Sequence, residues 1–265
     1  MNKYILITGS TDGIGKLTAL KLAKEGHYVY VHGRSEAKIN AVVSEIKEAS
    51  NNMNVKGLVA DFSDLNAVKE LAEQLNKEVP QLDVLINNAG IYKTKDTFAK
   101  NGLDYRIVVN YVAPYILTER ISSLLEKGNN TRIVNLSSAA QSTVQKDVLT
   151  GDATVNSNES YAQSKLALTM WSFRFAEKHP TITTIAVNPG SLLNTKMANE
   201  AYGQHWSPAE KGVDILYDLA LSKIYNNNSG HYYDNDKGSF SKAHPDAYSQ
   251  EKINSLLYFT EKIIK

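Results

Sequence analysis

The chain has 265 residues, of which 42% are hydrophobic, and its 29 Lys and Arg against 28 Asp and Glu leave a formal net charge of +1. This balance argues against a nucleic acid or an anionic membrane surface as partner, since both select a basic excess. The absence of cysteine excludes disulfides, thiolate metal sites and cysteine nucleophiles.

The sequence also lacks signals for export and membrane insertion. Residues 3–8 form a strand-like run that leaves no room for a secretory signal. No apolar run approaches the ~18 residues that a spanning helix needs. We therefore expect a cytoplasmic protein with no membrane anchor and no metal site.

Short apolar runs alternate with longer amphipathic runs along the chain. The predicted strands cover residues 4–8, 28–32, 55–60, 84–87, 132–137, 183–188 and, as a short late strand, 231–233. The predicted helices cover residues 13–25, 35–49, 64–78, 103–127 and 160–179. Because each crossover between parallel strands packs a helix onto the sheet, this order predicts an α/β fold with a parallel sheet covered on both faces. No fixed-period repeat or Pro- or Ser-rich linker divides the chain, so one domain over residues 1–265 is predicted.

Two irregular stretches interrupt the alternation, at residues 139–159 and 191–207. Each would leave the carboxyl end of a strand, which is where open α/β sheets bind ligands. Since long loops in compact domains are usually functional or disordered, we interpret both as substrate loops. Their aromatic side chains suit either a partly apolar substrate pocket or plain packing; those concerned are Tyr202, His205 and Trp206, with Tyr92 from an earlier loop.

A glycine-rich turn with the spacing G-x-x-x-G-x-G joins the first predicted strand to the first predicted helix. Glycine lets the backbone approach a ligand closely, and the amides and positive dipole of a helix start favour a pyrophosphate. Three spaced glycines alone would also fit a turn without a ligand. The position between strand and helix favours dinucleotide binding by Gly9, Ser10, Thr11, Asp12, Gly13, Ile14 and Gly15.

The end of the second strand bears on the choice between NAD(H) and NADP(H). An acidic side chain there would bind the ribose 2′-hydroxyl of NAD, but the chain has Gly33 at this position. The guanidinium of Arg34 suits a 2′-phosphate instead, and Ser35 offers a further hydrogen-bond donor. A solvated loop cation is the ordinary alternative for Arg34. The missing acid favours NADP(H) over NAD(H).

Polar and small residues also follow the third and fourth predicted strands. Asp61 is a candidate to bind an adenine amino group, and the small segment Asn88-Ala89-Gly90 would let a ribose lie against the backbone. Both also fit turn chemistry, Asp61 as a helix N-cap and the Asn-Gly segment as loop punctuation.

Tyr161 and Lys165 are four residues apart at the start of the last predicted helix, and so lie on one helix face. A free phenol has a pKa of about 10 and is a poor base at neutral pH. A nearby ammonium and the positive ring of an oxidised nicotinamide both favour the phenolate, which brings the phenol nearer to working pH. Taken alone, the pair is better explained by a helix on which Tyr packs and Lys snorkels to solvent.

Two further polar positions change that balance. Ser137 and Ser138 end the fifth strand, where a hydroxyl is placed to bond a substrate carbonyl oxygen. Asn110 lies inside a helical run, where an amide is a mediocre helix former. In isolation, Asn110 reads as an ordinary polar residue on a helix side.

Six motifs, taken in chain order, resemble those of the short-chain dehydrogenase/reductase family. They are Thr8-Gly9-x-x-x-Gly13-x-Gly15, Asn87-Asn88-Ala89-Gly90, Asn110, Ser138, Tyr161-x-x-x-Lys165 and Asn188-Pro189-Gly190. The resemblance implies a single doubly wound Rossmann domain with a mostly parallel seven-stranded sheet. It implies that Tyr161 donates and accepts the proton, and that Lys165 holds the ribose hydroxyls and lowers the pKa of the phenol. Ser138, rather than Ser137, would orient the reacting oxygen, and Asn110 would anchor a water of the proton relay.

Within the family, the run from Asn110 to Thr118 and the long gap before Tyr161 are most similar to retinol-dehydrogenase-like members. Pro189, Gly190 and Thr195 are implied as further cofactor contacts, although the step from Pro189 to Thr195 is one residue longer than usual. A homodimer or homotetramer is also implied. The expected function is NADP(H)-dependent interconversion of an alcohol and a carbonyl compound. The alternative is a catalytically silent NADP-sensing protein, which would not need the proton-relay residues.

Overall fold

The computed structural model describes residues 2–265, apart from the side chains of residues 200–202. An eight-stranded sheet in the order β3-β2-β1-β4-β5-β6-β7-β8 forms its centre. The strands are β1 Tyr4–Ile7, β2 Tyr28–Gly33, β3 Val55–Val59, β4 Val84–Asn87, β5 Arg132–Leu136, β6 Thr183–Asn188, β7 His231–Asp234 and β8 Ser239–Ser241. Strands β1 to β7 are parallel, and β8 runs antiparallel to β7.

The mostly parallel sheet confirms the predicted fold class, with one strand more than the resemblance implies. The additional strand is β8, which has three residues and pairs Phe240 with Tyr233. Its sequence, Ser-Phe-Ser, is too short to show the alternation over at least four residues from which a strand could be predicted. The seven predicted strands agree with β1 to β7 to within one residue at each end.

The strand order reverses at β1. The chain runs outward from β1 through β2 to β3, then returns to place β4 on the opposite side of β1. The loops that follow β1 and β4 therefore lead to opposite faces of the sheet. Such a switch point leaves a crevice at the carboxyl ends of the strands, which is the usual ligand site of an open α/β sheet.

Helices cover both faces of the sheet. They are α1 Gly13–Lys24, α2 Glu36–Ser50, α3 Leu65–Glu78, α4 Tyr105–Ile107, α5 Ala113–Arg120, α6 Ser122–Glu126, α7 Lys146–Leu149, α8 Ser157–Lys178, α9 Lys196–Tyr202, α10 Ala209–Leu221 and α11 Gln250–Ile263. Alternate residues of each strand face opposite layers. Leu6 of β1 packs into the core that contains α3, α5 and α8, whereas Ile5 and Ile7 pack into the core with α1, α2 and α10. The sheet is therefore doubly wound, as predicted.

The predicted helix at residues 103–127 is not one continuous helix. It is divided into α4, a π-helical turn at Val108–Val112, α5 and α6. Periodicity alone cannot show the division, because apolar residues continue through all four pieces. The π-helical turn contains Asn110, the amide that the sequence marks as unusual.

The two predicted substrate loops contain helical segments. Helix α7 lies within residues 139–159, and α9 lies within residues 191–207. The first loop also ends earlier than predicted, because the side chain of Asn156 accepts a hydrogen bond from the amide of Glu159 and starts α8 at Ser157. Tyr161 consequently lies in the second turn of α8 and not at its start.

Candidate active site

The carboxyl ends of the parallel strands open into a cleft of about 1270 Å³. Most of the residues predicted as site residues line this cleft: Gly9, Thr11, Asp12, Gly13, Ile14, Gly15, Arg34, Ser35, Asp61, Asn88, Ala89, Gly90, Ser138, Tyr161, Lys165, Pro189, Gly190 and Thr195. Ser10 and Asn110 are the two predicted residues that do not line it. The fold thus brings the loops that follow β1 to β6 together with helix α8 at one edge of the sheet.

The glycine-rich turn is packed so closely that side chains would not fit. A Cβ at Gly9, where φ is +62°, would lie 2.7 Å from Cα of Ala89, and a Cβ at Gly15 would lie 2.4 Å from Nδ2 of Asn88. The Asn88 amide donates to the carbonyl oxygens of Thr8 and Gly9 at 2.8 and 2.9 Å. Since the first amides of a helix have no intrahelical acceptor, those of Ile14 and Gly15 are available to an anion. The turn therefore fits a pyrophosphate group.

Ser10 departs from the prediction. Its side chain is fully buried, its hydroxyl donates to the carbonyl oxygen of Ile7 at 2.7 Å, and it accepts from the amide of His32 at 3.0 Å. These two hydrogen bonds fix the glycine-rich turn to the ends of β1 and β2. The hydroxyl does not reach the surface of the cleft.

His32 supports the same turn, although sequence reasoning assigned it no role. The amide of Gly9 donates to Nδ1 at 3.1 Å, so the ring carries its proton on Nε2, which faces the carbonyl oxygen of Ala60 at 3.1 Å. Burial lowers the pKa of His32 to about 4 and keeps the ring neutral. The sequence indicates a special role for His32 because it is the polar residue that ends an otherwise apolar strand.

The end of the cleft at the carboxyl end of β2 carries two basic side chains. Arg34 and Lys38 both line the cleft, and Lys38 was not identified from the sequence. Ser35 also accepts a hydrogen bond from the amide of Lys38 and caps α2. A Cβ at Gly33 would lie 2.7 Å from the Thr11 methyl group, so any side chain at this position would require the Thr11 side chain to move.

Asp61 lines the cleft and makes turn contacts at the same time. Its Oδ1 accepts from the amide and the hydroxyl of Ser63 at 2.9 and 2.8 Å. The helix cap predicted as its alternative role belongs to Asp64, which accepts from the amides of Asn66 and Ala67. Asp61 therefore makes the turn contacts that its alternative role requires, and its contact with adenine remains a prediction.

Tyr161 and Lys165 face the cleft together. Lys165 is 4% exposed, its Nζ lies 5.5 Å from the centre of the Tyr161 ring, and it donates to the carbonyl oxygen of Leu136 at 2.7 Å. The lysine does not snorkel to solvent. Burial lowers the pKa of Lys165 to about 8, because the interior disfavours its charged form. A cation held beside a half-buried phenol is the arrangement that favours the phenolate.

The two serines at the end of β5 have different surroundings. The Ser137 hydroxyl is buried, bonded to the hydroxyl of Thr169 at 2.7 Å, and donates to the carbonyl oxygen of Lys165 at 3.2 Å. Ser138 is half-buried, and its hydroxyl accepts from the amide of Ala140 at 3.1 Å. The Ser138 hydroxyl retains its proton for a ligand, whereas that of Ser137 is used within the protein.

Asn110 ties two parts of the site to each other. Its Nδ2 donates to the carbonyl oxygen of Ile91 and to the hydroxyl of Ser164, both at 3.0 Å, and its Oδ1 accepts from the amide of Ile91 at 2.8 Å. The β4 loop is thereby fixed to α8, one residue before Lys165. The π-helical turn directs this amide inward, as π-bulges at functional sites often do. Its role in a proton relay remains a prediction.

The loop after β6 is anchored by two acids that the sequence analysis missed. Nδ2 of Asn188 donates to Asp234 and Asp236, both at 2.9 Å, and Asp236 also accepts from the amide of Ser191 at 2.9 Å. Burial would raise the pKa of Asp236, but hydrogen bonds from Ser191 and Asn188 outweigh it and lower the pKa. Asp234 ends β7 and Asp236 lies in the β7–β8 connection, so only the tertiary fold brings them to this loop.

The longer step from Pro189 to Thr195 is accommodated by unusual backbone geometry. Leu192 has a φ of +45°, a conformation that L-residues rarely adopt. Thr195 then caps α9, and its methyl group lies 3.8 Å from where a Cβ of Gly13 would be. Despite the additional residue, Thr195 lies beside the glycine-rich turn.

The predicted aromatic pocket forms only in part. Tyr92 and Trp206 line the cleft, whereas His205 does not and instead contacts Asn199 at 3.1 Å. The side chain of Tyr202 lies outside the described residues. Among the residues that the structure describes, no helix has both the length and the apolar content needed to cross a membrane.

The chain is similar to a known protein family and to individual proteins. The family model described as short chain dehydrogenase matches residues 3–205. Human polyprenol dehydrogenase is 29% identical over 89% of this chain and 78% of its own length. Bovine retinol dehydrogenase 12 is 33% identical over 76% of this chain and 64% of its own length. A Shigella flexneri protein described as a short chain dehydrogenase, crystallised with NADP, has the same fold with a TM-score of 0.71 at 24% identity, covering 89% of this chain and 98% of its own.

Proposed function

The chain belongs to the short-chain dehydrogenase family, and from that premise we propose that it interconverts an alcohol and a carbonyl compound with NADP(H). One observation carries the proposal: Tyr161, Lys165 and Ser138 meet in the cleft that the glycine-rich turn also lines. A phenol, a buried ammonium and a hydroxyl at the carboxyl edge of such a sheet are the groups that proton transfer to a carbonyl oxygen requires.

The residues present fit a nicotinamide dinucleotide. The glycine-rich turn and the amides of Ile14 and Gly15 would hold the pyrophosphate, and Arg34 with Lys38 would hold a 2′-phosphate. Small residues at Ala89 and Gly90 leave room for a ribose, and Lys165 is placed to bind its hydroxyls. When bound, the nicotinamide supplies the hydride for reduction or accepts it in oxidation. The NADP complex of the Shigella protein supports this choice of cofactor.

We assign the remaining chemistry to the side chains around Tyr161. In reduction, the substrate carbon gains a hydride, and the Tyr161 hydroxyl gives its proton to the carbonyl oxygen, so that an alcohol and a phenolate result. The ammonium of Lys165 stabilises that phenolate. The Ser138 hydroxyl donates to the carbonyl oxygen and stabilises the negative charge that develops on it. Oxidation reverses each transfer.

A screen for cofactor consumption tests the proposed activity. Purified protein is incubated with NADPH and separate aldehydes, ketones and quinones, and absorbance at the reduced-nicotinamide band is followed, with NADH run in parallel. Turnover of at least one carbonyl class with NADPH is the expected result. Binding of NADPH without oxidation of any member of the panel would favour a nucleotide-sensing protein instead.

Arg34 is expected to set the preference for NADP(H). Replacing it by Ala should raise the KM for NADPH by about 10- to 100-fold, since a charge-assisted hydrogen bond contributes ~1.5–3 kcal/mol. The KM for NADH should change little, because NADH has no 2′-phosphate. Steady-state kinetics with both cofactors measure the ratio. Lys77→Ala is the matched control, since Lys77 is an exposed cation on α3 away from the cleft. An equal rise in the KM for NADPH and NADH in Arg34→Ala would contradict the assignment.

The two serines provide a paired test of the substrate site. Ser138→Ala should lower kcat by about 10²-fold, the lower end of the effect of removing one donor from a developing oxyanion. Ser137→Ala should change kcat far less and instead reduce the free energy of unfolding by about 0.5–1.5 kcal/mol, because it removes one buried hydrogen bond from the Thr169 hydroxyl, which keeps its bond to the Lys165 carbonyl oxygen. Kinetics and urea unfolding of both variants distinguish these roles. A larger loss of kcat in Ser137→Ala would reverse the assignment.

A further inference from the structure

A second depression, of about 470 Å³ and more open to solvent than the cleft, adjoins it beside Tyr161. Tyr92, Ala140 and Tyr161 line both spaces, so these three residues form the boundary between the cleft and what we call the side chamber. Its volume lies within the ~300–1,000 Å³ typical of small-molecule sites. A substrate whose carbonyl oxygen is bonded to Tyr161 can therefore extend in this direction.

The wall that separates the two spaces is held by buried and partly buried hydrogen bonds. The Tyr92 hydroxyl donates to the Asn158 side chain, and Nε of Arg106 donates to the Tyr92 carbonyl oxygen at 2.7 Å. Arg106 is itself buried, is paired with Asp104 at 3.3 Å and donates to the Ser157 hydroxyl at 2.8 Å. The Tyr92 ring meets that of Tyr161 edge-on, with 5.2 Å between ring centres. These bonds tie the β4 loop to the start of α8 and so fix the wall that the chamber shares with the cleft.

The rest of the chamber is lined mainly by hydrogen-bonding side chains, those of Gln141, Ser142, Asn156, Asn158 and Glu159. Glu159 Oε1 accepts hydrogen bonds from Ser142 and Gln163 at 2.8 and 3.0 Å. Neither of these two residues donates a hydrogen bond to the other carboxylate oxygen, Oε2. The side-chain oxygen of Asn156 is used to cap α8, and that of Asn158 accepts from Tyr92. The groups left to face a ligand are thus amide N–H donors and one carboxylate oxygen.

The charge of this lining restricts what it can bind. Among the described residues of the chamber, Glu159 is the charged one, and none is basic. A carboxylate or phosphate brought here would be repelled by Glu159 and would have no cation to pair with. Hydroxyl groups can both donate to Glu159 and accept from the asparagine amides, and an ammonium gains from the carboxylate.

We propose that the side chamber is a substrate subsite for a polyhydroxylated arm, neutral or bearing an ammonium, attached to the carbon skeleton that carries the reacting carbonyl. This inference rests on the proposed function, since it takes Tyr161 as the position of the carbonyl oxygen. Glu159, Asn156 and Asn158 are its specificity-determining residues. The subsite discriminates by the charge and hydrogen-bonding capacity of the arm and not by the chemistry of the carbonyl group.

Four methyl ketones that differ only in the arm test the subsite. The arms have equal length and are alkyl, neutral polyol, amino-polyol and polyol carboxylate, and kcat/KM is measured for each with NADPH. The polyol should exceed the alkyl arm by about 10-fold, as expected for two net hydrogen bonds. The amino-polyol should equal or exceed the polyol, and the carboxylate should be the poorest of the three polar arms.

Two variants test whether the differences in kcat/KM among the four ketones arise in the side chamber. Glu159→Gln should remove the advantage of the amino-polyol over the polyol carboxylate, and Ala162→Leu, which places a larger side chain in the chamber, should reduce the ratio of polyol to alkyl. Glu177→Gln is the matched control, because Glu177 is an exposed acid on the same helix. Equal kcat/KM for the alkyl and polyol arms, or ratios that neither variant changes, would overturn the proposal.

Binding of glucamine, an amino-polyol without a carbonyl, provides a readout that does not depend on turnover. Isothermal titration should show weaker glucamine binding to Glu159→Gln than to the wild type and to Glu177→Gln. If no ketone is reduced but glucamine binds in this Glu159-dependent manner, the proposed function is wrong and the chamber is still a binding site for polyhydroxylated groups. If the alkyl ketone is reduced while neither discrimination nor glucamine binding is found, the function stands and the chamber proposal fails.

Discussion

Tyr161→Phe is expected to lower kcat by about 10⁴-fold, the upper end of what a positioned general acid contributes. The substitution removes only the hydroxyl oxygen, so the proton has no donor when the carbonyl oxygen gains negative charge. The ring should remain in place, since its edge-on contact with Tyr92, 5.2 Å between centres, does not involve the hydroxyl. Affinity for NADPH should therefore stay close to that of the wild type.

Single-turnover kinetics and NADPH fluorescence titration measure the two parts of this expectation. Tyr258→Phe is the matched control, because Tyr258 is exposed on α11 and loses the same atom. Wild-type turnover in Tyr161→Phe would remove the proposed mechanism. Loss of NADPH binding together with turnover would mean that the phenol acts through the cofactor site and not as the proton donor.

Much of this architecture could be predicted because local patterns and tertiary structure agree. The parallel strands are buried on both faces, so each appears in the sequence as a short apolar run with clear ends. The glycine-rich turn could be found because close packing permits no side chain at Gly9 or Gly15, which leaves a spacing visible in the sequence. The pair Tyr161 and Lys165 could be placed on one face because helical periodicity needs no tertiary information.

The parts that could not be predicted depend on contacts between distant segments. Asp236 anchors the loop after β6 from the β7–β8 connection, and nothing near it in the sequence indicates that partner. His32 supports Gly9 from 23 residues away, and its role follows only from the register of β1 against β2. The missing acid at Gly33 is visible in the sequence, but the close approach of the Thr11 methyl group to this position is visible only in three dimensions.

Replacing Lys165 by Met should remove activity and stabilise the ligand-free protein in a pH-dependent way. Turnover should fall by about 10³-fold, because the phenolate of Tyr161 loses the cation that stabilises it. Stability should move in the opposite direction. Burial lowers the pKa of Lys165 to about 8 from 10.5, so the unfolded chain binds more protons than the folded chain between these two values. The wild type therefore gains stability as pH rises from 8 to 10.5, and below pH 8 the buried ammonium costs about 3 kcal/mol.

Methionine fills a similar volume without a charge, but it leaves the Leu136 carbonyl oxygen without its 2.7 Å partner, at a cost of about 1–3 kcal/mol. The net gain at pH 7 should therefore be about 1 kcal/mol, which corresponds to a melting temperature ~2–4 °C higher. Calorimetry of the ligand-free proteins at pH 7, 8, 9 and 10 should show the advantage of Lys165→Met shrinking above pH 8 and then reversing. Lys178→Met, an exposed substitution on the same helix, should follow the wild type in turnover and melting temperature. A difference in melting temperature that stays constant from pH 7 to 10 would mean that folding does not lower the pKa of Lys165, and the cost assigned to its buried ammonium would then be wrong.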